Sequence, residues 1–242
     1  MAIHGGFMIA ITDSRTPTAA LSRLCELGFE TISLPRADYL AEPVSAHPDM
    51  LVFMGLGGLF CHKIYYQSNK EIIDAIAKKT GLELIISAEH TSAEYPYDVL
   101  FNCILIGNKF LCNTNTVSRL ILERAMAQGI AVIHTNQGYT KCSVCKVDDN
   151  TIITSDMSIY KACASNGISV MLVSPEGVGL DGYSCGFIGG SSGNDGKCVY
   201  FCGDISLHPD GKKIIEFCNS HGKNVISLSD KALYDVGSIL FI

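Results

Sequence analysis

The sequence predicts an α/β fold, a five-bladed α/β propeller built from strand–strand–helix–strand units. Apolar runs that begin with glycine recur five times, an amphipathic stretch with helical spacing precedes each run, and two strand-like segments joined by a turn precede the helix. A doubly wound α/β sheet, the ordinary alternative, needs only one strand for each helix. We expect one domain over residues 1–242, a length that can bury a sizeable core.

Five glycines mark the points where a helix ends and a buried strand begins: Gly28, Gly81, Gly129, Gly167 and Gly222. Glycine tolerates the left-handed conformation required just after a helix, and the Ile- and Val-rich runs that follow predict strands. Apolar side chains at helical spacing and N-terminal capping clusters predict the helices. The apolar positions include Ala20, Leu21, Leu24, Leu27, Ile72, Ile73, Ile76, Leu120, Ile121, Ala125, Ile214, Ile215 and Phe217, and the caps lie at 12–14, 68–69, 113–116, 154–156, Asp204 and Ser206.

The first copy of the unit lacks an opening strand, and the C-terminal segment offers one. The clearest strand pairs elsewhere are Val99–Ile106 with Lys109–Cys112 and Cys142–Val147 with Thr151–Thr154. Residues 234–242 form a strand-like run without a partner of their own. We expect this run to pair with Gly6–Thr12, which would close the ring by joining the two ends of the chain, as propellers do.

Composition and charge exclude several classes of protein. A content of 48% hydrophobic and 17% charged residues excludes intrinsic disorder, and a net charge of −6 argues against a nucleic-acid surface. No apolar run reaches the roughly 18 residues that span a membrane, and no signal-peptide pattern is present. Eleven cysteines are scattered through the chain. Because many lie in apolar runs (Cys25, Cys61, Cys103, Cys163 and Cys218), we expect mostly buried free thiols and a cytoplasmic location.

Two segments and the repeat plan resemble a known enzyme family. His47-Pro48-Asp49 opens the apolar run that ends at Phe53, and Tyr97-Asp98 opens another run. A ring of five such units is the architecture of the pentein, or guanidino-group-modifying, enzymes, which include arginine deiminase, dimethylarginine hydrolase and the amidinotransferases. The His-x-Asp segment is similar to the one that supplies the catalytic histidine in the hydrolases. The chain resembles an uncharacterised bacterial branch of this fold, and the resemblance implies chemistry on a guanidino or amidino group.

The sequence departs from these hydrolases where their nucleophile stands. They place a nucleophilic cysteine at the start of the last closing strand, whereas this chain reads Leu233-Tyr234-Asp235-Val236 there. The Glu-Gly-Gly-Asp segment of the deiminases is also absent. The resemblance therefore implies the fold more strongly than the activity.

Equivalent positions at the starts of the first strands would converge near the axis of the ring. They hold Asp49, Asp98, Cys142, Cys185 and Asp235, each closely preceded by His47, Tyr97, Tyr139, Tyr183 or Tyr234. Carboxylates accept the paired hydrogen bonds of a guanidinium, a thiolate attacks its central carbon, and an imidazole moves protons to the leaving amine. We expect catalytic roles for Cys185, His47 and Asp98, and substrate contacts from Asp49, Asp98, Asp235, Cys142 and Tyr183. Cys142 is the alternative thiol.

Other patterns predict less. Cys142 and Cys145 form a C-x-x-C pair. A zinc site needs two more ligands, however, and a redox pair normally lies at the N-terminus of a helix. The pair Cys198 and Cys202 is more typical of packing on one strand face. Gly189–Gly196 lacks the Gly-Lys-Ser/Thr ending of a phosphate-binding loop and the helix that would follow it. The segment therefore predicts a long hairpin loop or a mobile lid. The sequence thus predicts no metal and no cofactor.

The predicted function is hydrolysis or group transfer on a guanidino or amidino compound through a Cys-centred site. The alternative is a non-catalytic pentein that binds a small cation or takes part in an assembly, because fold does not imply function. A small-molecule or metal binder that uses the ring of Asp and Cys without turnover also stays open. The expected partner is a small cationic molecule rather than a nucleic acid or a membrane, and the sequence leaves the oligomeric state open.

Overall fold

The computed structural model describes residues 8–242. Its strands are β1 (Ile9–Asp13), β2 (Glu30–Leu34), β3 (Val52–Gly55), β4 (Gly58–His62), β5 (Glu83–Ser87), β6 (Ile104–Ile106), β7 (Lys109–Cys112), β8 (Ala131–His134), β9 (Val144–Asp148), β10 (Thr151–Thr154), β11 (Ser169–Leu172), β12 (Val178–Gly179), β13 (Ser192–Asn194), β14 (Cys198–Phe201), β15 (Asn224–Ser227), β16 (Leu233–Tyr234) and β17 (Leu240–Phe241). Its helices are α1 (Thr18–Glu26), α2 (Pro48–Leu51), α3 (Lys63–Ser68), α4 (Lys70–Thr80), α5 (Arg119–Ala127), α6 (Met157–Ser165) and α7 (Gly211–Ser220), with 3-10 turns at Glu42–Val44 and Ile205–Leu207. In this part of the chain no helix is both long enough and apolar enough to cross a membrane.

Most strands belong to small three-stranded sheets of one design. The sheet orders are β17-β1-β2, β3-β4-β5, β6-β7-β8, β9-β10-β11 and β13-β14-β15, and β12 pairs with β16. In each three-stranded sheet the first two strands are antiparallel and the last two are parallel. A parallel pair requires a crossover, and a helix lies between the second and third strand in every case.

The five glycines that follow the helices adopt the left-handed conformation that the sequence predicts. Their φ angles lie between +67° and +90°, and a β-strand begins two residues later in each case. A Cβ atom at any of them would meet no other atom within 4 Å. Backbone conformation rather than lack of space therefore explains glycine at these positions.

The helix that connects the two parallel strands of each sheet buries one apolar face against that sheet. The fully buried positions are three or four residues apart, which places them on one helix face: Ala20 and Leu24, Ile73 and Ile76, Ile121 and Ala125, Ile159 and Cys163, and Ile214 and Cys218. Leu120 on α5, which the apolar pattern assigns to the buried face, is 38% exposed. The buried face of this helix is therefore narrower than the pattern predicts. The hydrophobic core thus lies between each helix and the sheet it packs on.

Several strand and burial predictions need correction. Only Ile104–Ile106 of the predicted strand Val99–Ile106 is extended, because the preceding residues form turns closed by hydrogen bonds from the amides of Asn102 and Cys103. The predicted strand Cys142–Val147 runs from Val144 to Asp148. Within the predicted loop Gly189–Gly196, residues 192–194 form β13, which shortens the hairpin loop. Cys25 is exposed on α1, although the thiols are free and eight of the eleven are buried.

The C-terminal run pairs with the N-terminal strand, as the sequence predicts, but over a shorter length. Only Leu240–Phe241 of the predicted strand 234–242 forms a strand there, and Tyr234 belongs to β16, which pairs with β12. β17 lies antiparallel to β1, with Ala10 opposite Phe241 and Ile11 opposite Leu240. The predicted partner segment Gly6–Thr12 begins outside the described residues, and the pairing starts at Ile9, whose amide donates to the carbonyl of Ile242. The two ends of the described chain therefore share one sheet.

The first strands of the five three-stranded sheets line a common cavity of about 370 Å³. β3, β6, β9, β13 and β17 all contribute to its wall, and we refer to this space as the strand cavity. A parallel bridge between Gly193 and Ile239 joins the β13 and β17 regions directly. The segments that lead into these strands also contribute to the lining, through Asp49 and Lys141. The same segments carry polar residues of the candidate site.

Candidate functional site

A second cavity, of about 330 Å³, lies beside the segments that precede the first strands. We refer to it as the Asp235 pocket. Three buried ionisable side chains form part of its wall: Asp13 at the end of β1, His47 just before α2, and Asp235 just after β16. Each is at most 2% exposed. The remaining lining residues are Arg15, Pro17, Arg36, Glu42, Pro43, Asp181, Tyr234 and Val236.

His47 lies between the two buried carboxylates. Its Nε2 is 3.9 Å from Oδ2 of Asp13, and its Nδ1 is 3.8 Å from Oδ1 of Asp235. Both distances exceed those of hydrogen bonds, and Nδ1 has no hydrogen-bond partner among the described residues. The wall of the pocket therefore contains a buried imidazole nitrogen that no protein group in the described part of the chain occupies. The His47 side chain is buried, so this residue does not lie in an exposed turn.

Asp235 is held by backbone amides. The amide of Phe187 donates to Oδ2 at 2.8 Å, and the amide of Gly237 donates to Oδ1 at 2.9 Å. Burial raises the pKa of Asp235, and the charge of Asp49 raises it further, whereas His47 and the two amides oppose that shift. Burial thus makes the ionised form of Asp235 costly, and a cation in the pocket would stabilise it.

Asp13 already holds a guanidinium, that of Arg15. Arg15 donates from Nε to Oδ1 at 3.0 Å and from Nη2 to Oδ2 at 2.7 Å, which is a bidentate pair. The same guanidinium donates to the carbonyls of Glu42 and Pro43. The hydrogen bond with Asp13 raises the pKa of Arg15. The chain therefore provides its own example of a guanidinium bound at this wall of the pocket.

Cys142 and Asp49 belong to a second polar group, behind the pocket. The Nδ2 of Asn102 donates to the Cys142 sulfur at 3.0 Å, and its Oδ1 accepts from the amides of Lys141 and Cys142. The Ser238 hydroxyl donates to Oδ2 of Asp49 at 2.6 Å and accepts from Nζ of Lys141 at 2.8 Å. Burial, Asp49 and Asp235 raise the pKa of Cys142 well above its usual value. This thiol is 3% exposed, so it is buried in its protonated form.

Asp98 lies apart from both groups. The Tyr139 hydroxyl donates to its Oδ2 at 2.5 Å, and the Tyr139 ring stacks on Phe187 with centroids 6.0 Å apart. Burial raises the pKa of Asp98, and the bond from Tyr139 opposes that shift. Asp98 does not line the Asp235 pocket.

Cys185 and Tyr183 lie in an exposed loop next to the pocket. Tyr183 is 52% exposed, and the Cys185 thiol is also exposed. The loop touches the pocket on both sides of these residues, because Asp181 lines it and the Phe187 amide binds Asp235. The structure thus brings His47 and Asp235 together, places Asp49 and Cys142 behind them, and leaves Asp98, Cys185 and Tyr183 outside the pocket wall.

Sequence reasoning missed several residues of this region. The sequence pattern puts Asp13 in a helix-capping cluster, yet α1 begins later, and Asp13 binds Arg15 instead. It also puts Asn102 inside a strand and gives Ser238 no role, whereas both side chains bind within the polar group behind the pocket. The one sequence signal for any of these contacts was the Asp-x-Arg spacing at the end of β1, which corresponds to the Asp13–Arg15 pair. No three His, Cys, Asp or Glu side chains among residues 8–242 are arranged to hold a metal ion.

Comparison with known proteins places the chain in a family. The profile of a family of unknown function (DUF6873) matches residues 11–240, and the chain belongs to this family. No curated protein matches. Among solved structures, the chain is similar to DDAH from Pseudomonas aeruginosa complexed with citrulline, with a TM-score of 0.59 and 11% identity over 92% of this chain and 91% of that one.

Two further solved structures have the same architecture. Agmatine deiminase from C. jejuni has a TM-score of 0.54 at 8% identity, over 95% of this chain and 92% of that chain. An amidinotransferase of the saxitoxin biosynthetic pathway from Microseira wollei has a TM-score of 0.54 at 11% identity, over 93% and 89%. The chain therefore has the α/β fold of the pentein enzymes that modify guanidino groups, as the sequence motifs predicted.

Proposed function

We propose that this protein binds a small cationic guanidino or amidino compound in the Asp235 pocket. One observation supports this most directly: two buried carboxylates and an imidazole converge in one cavity of about 330 Å³. A planar guanidinium carries several N–H donors, which carboxylates accept in pairs, and Asp13 does this for Arg15. Solved proteins of the same fold include an agmatine deiminase and a DDAH bound to citrulline, which agrees with a ligand of this class.

Binding is better supported than turnover because the pocket wall contains no thiol. The lining residues include no cysteine, and Cys142 is buried with a raised pKa. A neutral buried thiol is a poor nucleophile. A binding role also agrees with the departure of the closing segment around Asp235 from the hydrolase pattern.

Hydrolysis through Cys185 is the second candidate. Its support is the position of the exposed thiol in a loop that touches the pocket through Asp181 and Phe187. In this reaction the Cys185 thiolate attacks the central guanidino carbon, the C–N bond breaks, and ammonia leaves with a proton from His47. Water then gives a proton to His47 and adds to the thiouronium carbon, and the C–S bond breaks, which yields a ureido product and returns the thiol.

We also propose that the five sheets form a closed ring with one blade completed by β17. Support comes from the strand cavity, to which the first strand of every three-stranded sheet contributes. The antiparallel pairing of β17 with β1 and the bridge between Gly193 and Ile239 agree with closure. A ring of this kind has no open sheet edge at the joint between the chain ends.

Isothermal titration calorimetry with agmatine and L-arginine tests the binding proposal. We expect saturable binding to the wild-type protein, and a loss of about tenfold or more in affinity for Asp235→Asn, since a charge-assisted hydrogen bond contributes about 1.5–3 kcal/mol. Asp98→Asn is the matched control, because Asp98 is also a buried carboxylate but lies outside the pocket. Binding that Asp98→Asn weakens and Asp235→Asn leaves intact would refute the proposed site.

Release of ammonia from agmatine tests the hydrolytic candidate. We expect Cys185→Ser to abolish any turnover and Cys25→Ser, at the other exposed cysteine, to leave it unchanged. Saturable binding without ammonia release would remove the candidate and leave the binding proposal standing.

A further inference from the structure

The strand cavity is a separate compartment from the Asp235 pocket. The two share no lining residue, although His47 lines one and Asp49, two positions later, lines the other. Its volume of about 370 Å³ lies within the range of small-molecule sites. A ligand there would occupy a different space from a ligand beside Asp235.

The wall of the strand cavity is mostly apolar. Phe53 and Leu105 come from two of the inner strands, and Leu240 comes from the C-terminal one. The interior of a small ring of strands is ordinarily filled by side chains, whereas larger interiors hold a ligand. Gly55 and Gly193 also line this space, where a Cβ atom would lie within 3 Å of neighbouring side-chain or backbone atoms. An unfilled apolar interior with a few convergent polar groups is typical of a ligand site.

Two lysines are the basic residues of the lining, which also contains Asp49, Ser192 and Asn194. Lys141 donates one hydrogen bond, to the Ser238 hydroxyl, and within residues 8–242 no carboxylate lies within 4 Å of its ammonium. Lys146, on β9, pairs with the exposed carboxylate of Asp149 at the surface. Asp49 is the single acidic residue of the lining, and its Oδ2 is bound by Ser238. The lining residues thus include two ammonium groups and one carboxylate next to an apolar wall.

We infer that the strand cavity binds a small apolar carboxylate, such as a short-chain fatty acid, with its carboxylate at Lys141 and its hydrocarbon body against the inner strands. A half-buried ammonium without a carboxylate partner attracts an anion more strongly than a fully hydrated one. Burial of the hydrocarbon on Phe53 and Leu105 adds the apolar part of the affinity. Asp49 in the lining disfavours a second acidic group beside it, so a monocarboxylate fits better than a dicarboxylate.

Titration calorimetry with octanoate, octanol and octylamine separates the contributions of the head group and the tail. We expect octanoate to bind best, octanol more weakly, and octylamine weakest. Lys141→Gln weakens octanoate binding about fivefold and leaves octanol unchanged, since one charge-assisted contact is lost. Lys78→Gln, at an exposed lysine of α4 outside the cavity, leaves octanoate binding unchanged.

A second variant keeps the inference testable if Lys141→Gln does not fold, because Lys141 also binds Ser238. Leu105→Trp fills the cavity and abolishes binding of octanoate and octanol, whereas Leu120→Trp, on the exposed face of α5, does not. Equal binding of octanoate and octylamine, binding that survives Leu105→Trp, or no octanoate binding would each overturn the inference. Agmatine binding to the same samples reports the Asp235 pocket separately.

Discussion

The Asp235 pocket and the strand cavity lie on two sides of the same short segments, yet they differ in chemistry. Segment 47–49 contributes His47 to the pocket and Asp49 to the strand cavity, and Asp235 lines the pocket while Ser238 holds Lys141 near the cavity. The pocket is charged and the cavity mostly apolar. Residues only two or three positions apart thus line different compartments. The His-x-Asp motif therefore does not place its histidine and its aspartate in one site.

Removal of residues 235–242 should have the largest effect, because both compartments lose a wall. The deletion removes β17 and Asp235, exposes the edge of β1, and takes Ile239 out of the core. We expect loss of the cooperative thermal unfolding transition measured by circular dichroism.

A point substitution distinguishes ring closure from a general loss of chain. Ile239→Ala should lower the free energy of unfolding by about 2–5 kcal/mol, as for other buried isoleucines. Ile242→Ala, at a residue 37% exposed, should cost far less. A truncated protein that unfolds at the wild-type temperature would contradict the closing role of β17.

Asp235→Asn should change how stability depends on pH. The folded-state pKa of Asp235 is raised above its unfolded value. The unfolded chain therefore loses this proton first as pH rises, and the folded state loses stability until the folded pKa is passed. Asp235→Asn removes this loss, so we expect the variant to match the wild type near pH 3 and to gain relative stability toward neutral pH, by about 1.4 kcal/mol for each unit of pKa difference.

Urea unfolding across that pH range measures the effect. Asp230→Asn, at a carboxylate 86% exposed, is the control and should follow the wild type throughout. A relative stability of Asp235→Asn that falls with rising pH would mean that the folded protein stabilises the charged form of this carboxylate, which is the opposite of a raised pKa.

Arg15→Gln should have the smallest effect, and it sharpens the comparison by opening the pocket. The substitution frees the Asp13 carboxylate beside His47 from its bidentate guanidinium. We expect agmatine to bind about three- to tenfold more tightly, because its guanidinium can then form with Asp13 the charge-assisted hydrogen bonds that Arg15 forms in the wild type. Octanoate binding should not change. Arg23→Gln, on exposed α1 surface, is the control, and weaker agmatine binding in Arg15→Gln would indicate that Arg15 helps to hold the ligand.

The fold was largely predictable from the sequence because its signals are local. Glycine after each helix and apolar spacing within it depend on backbone geometry and burial alone, and the run 234–242, which contains β17, was identified as a strand without a partner. The site was less predictable, because side-chain direction in irregular segments depends on contacts distant in sequence. Asn102 turns inward to bind the backbone at Cys142, and Asp13 binds Arg15 rather than capping a helix. The catalytic and binding roles stay predictions for all of the site residues: Cys185, His47, Asp98, Asp49, Asp235, Cys142 and Tyr183.

A crystal structure of the protein with bound agmatine tests the proposed binding site most directly. We predict that the guanidinium lies in the Asp235 pocket, within hydrogen-bond distance of the Asp235 carboxylate and next to the Nδ1 nitrogen of His47, which has no hydrogen-bond partner among the described residues. We also predict no agmatine in the strand cavity, whose lysines repel a cation. Agmatine bound in the strand cavity, or an empty Asp235 pocket in a crystal that holds agmatine elsewhere, would contradict the proposed site.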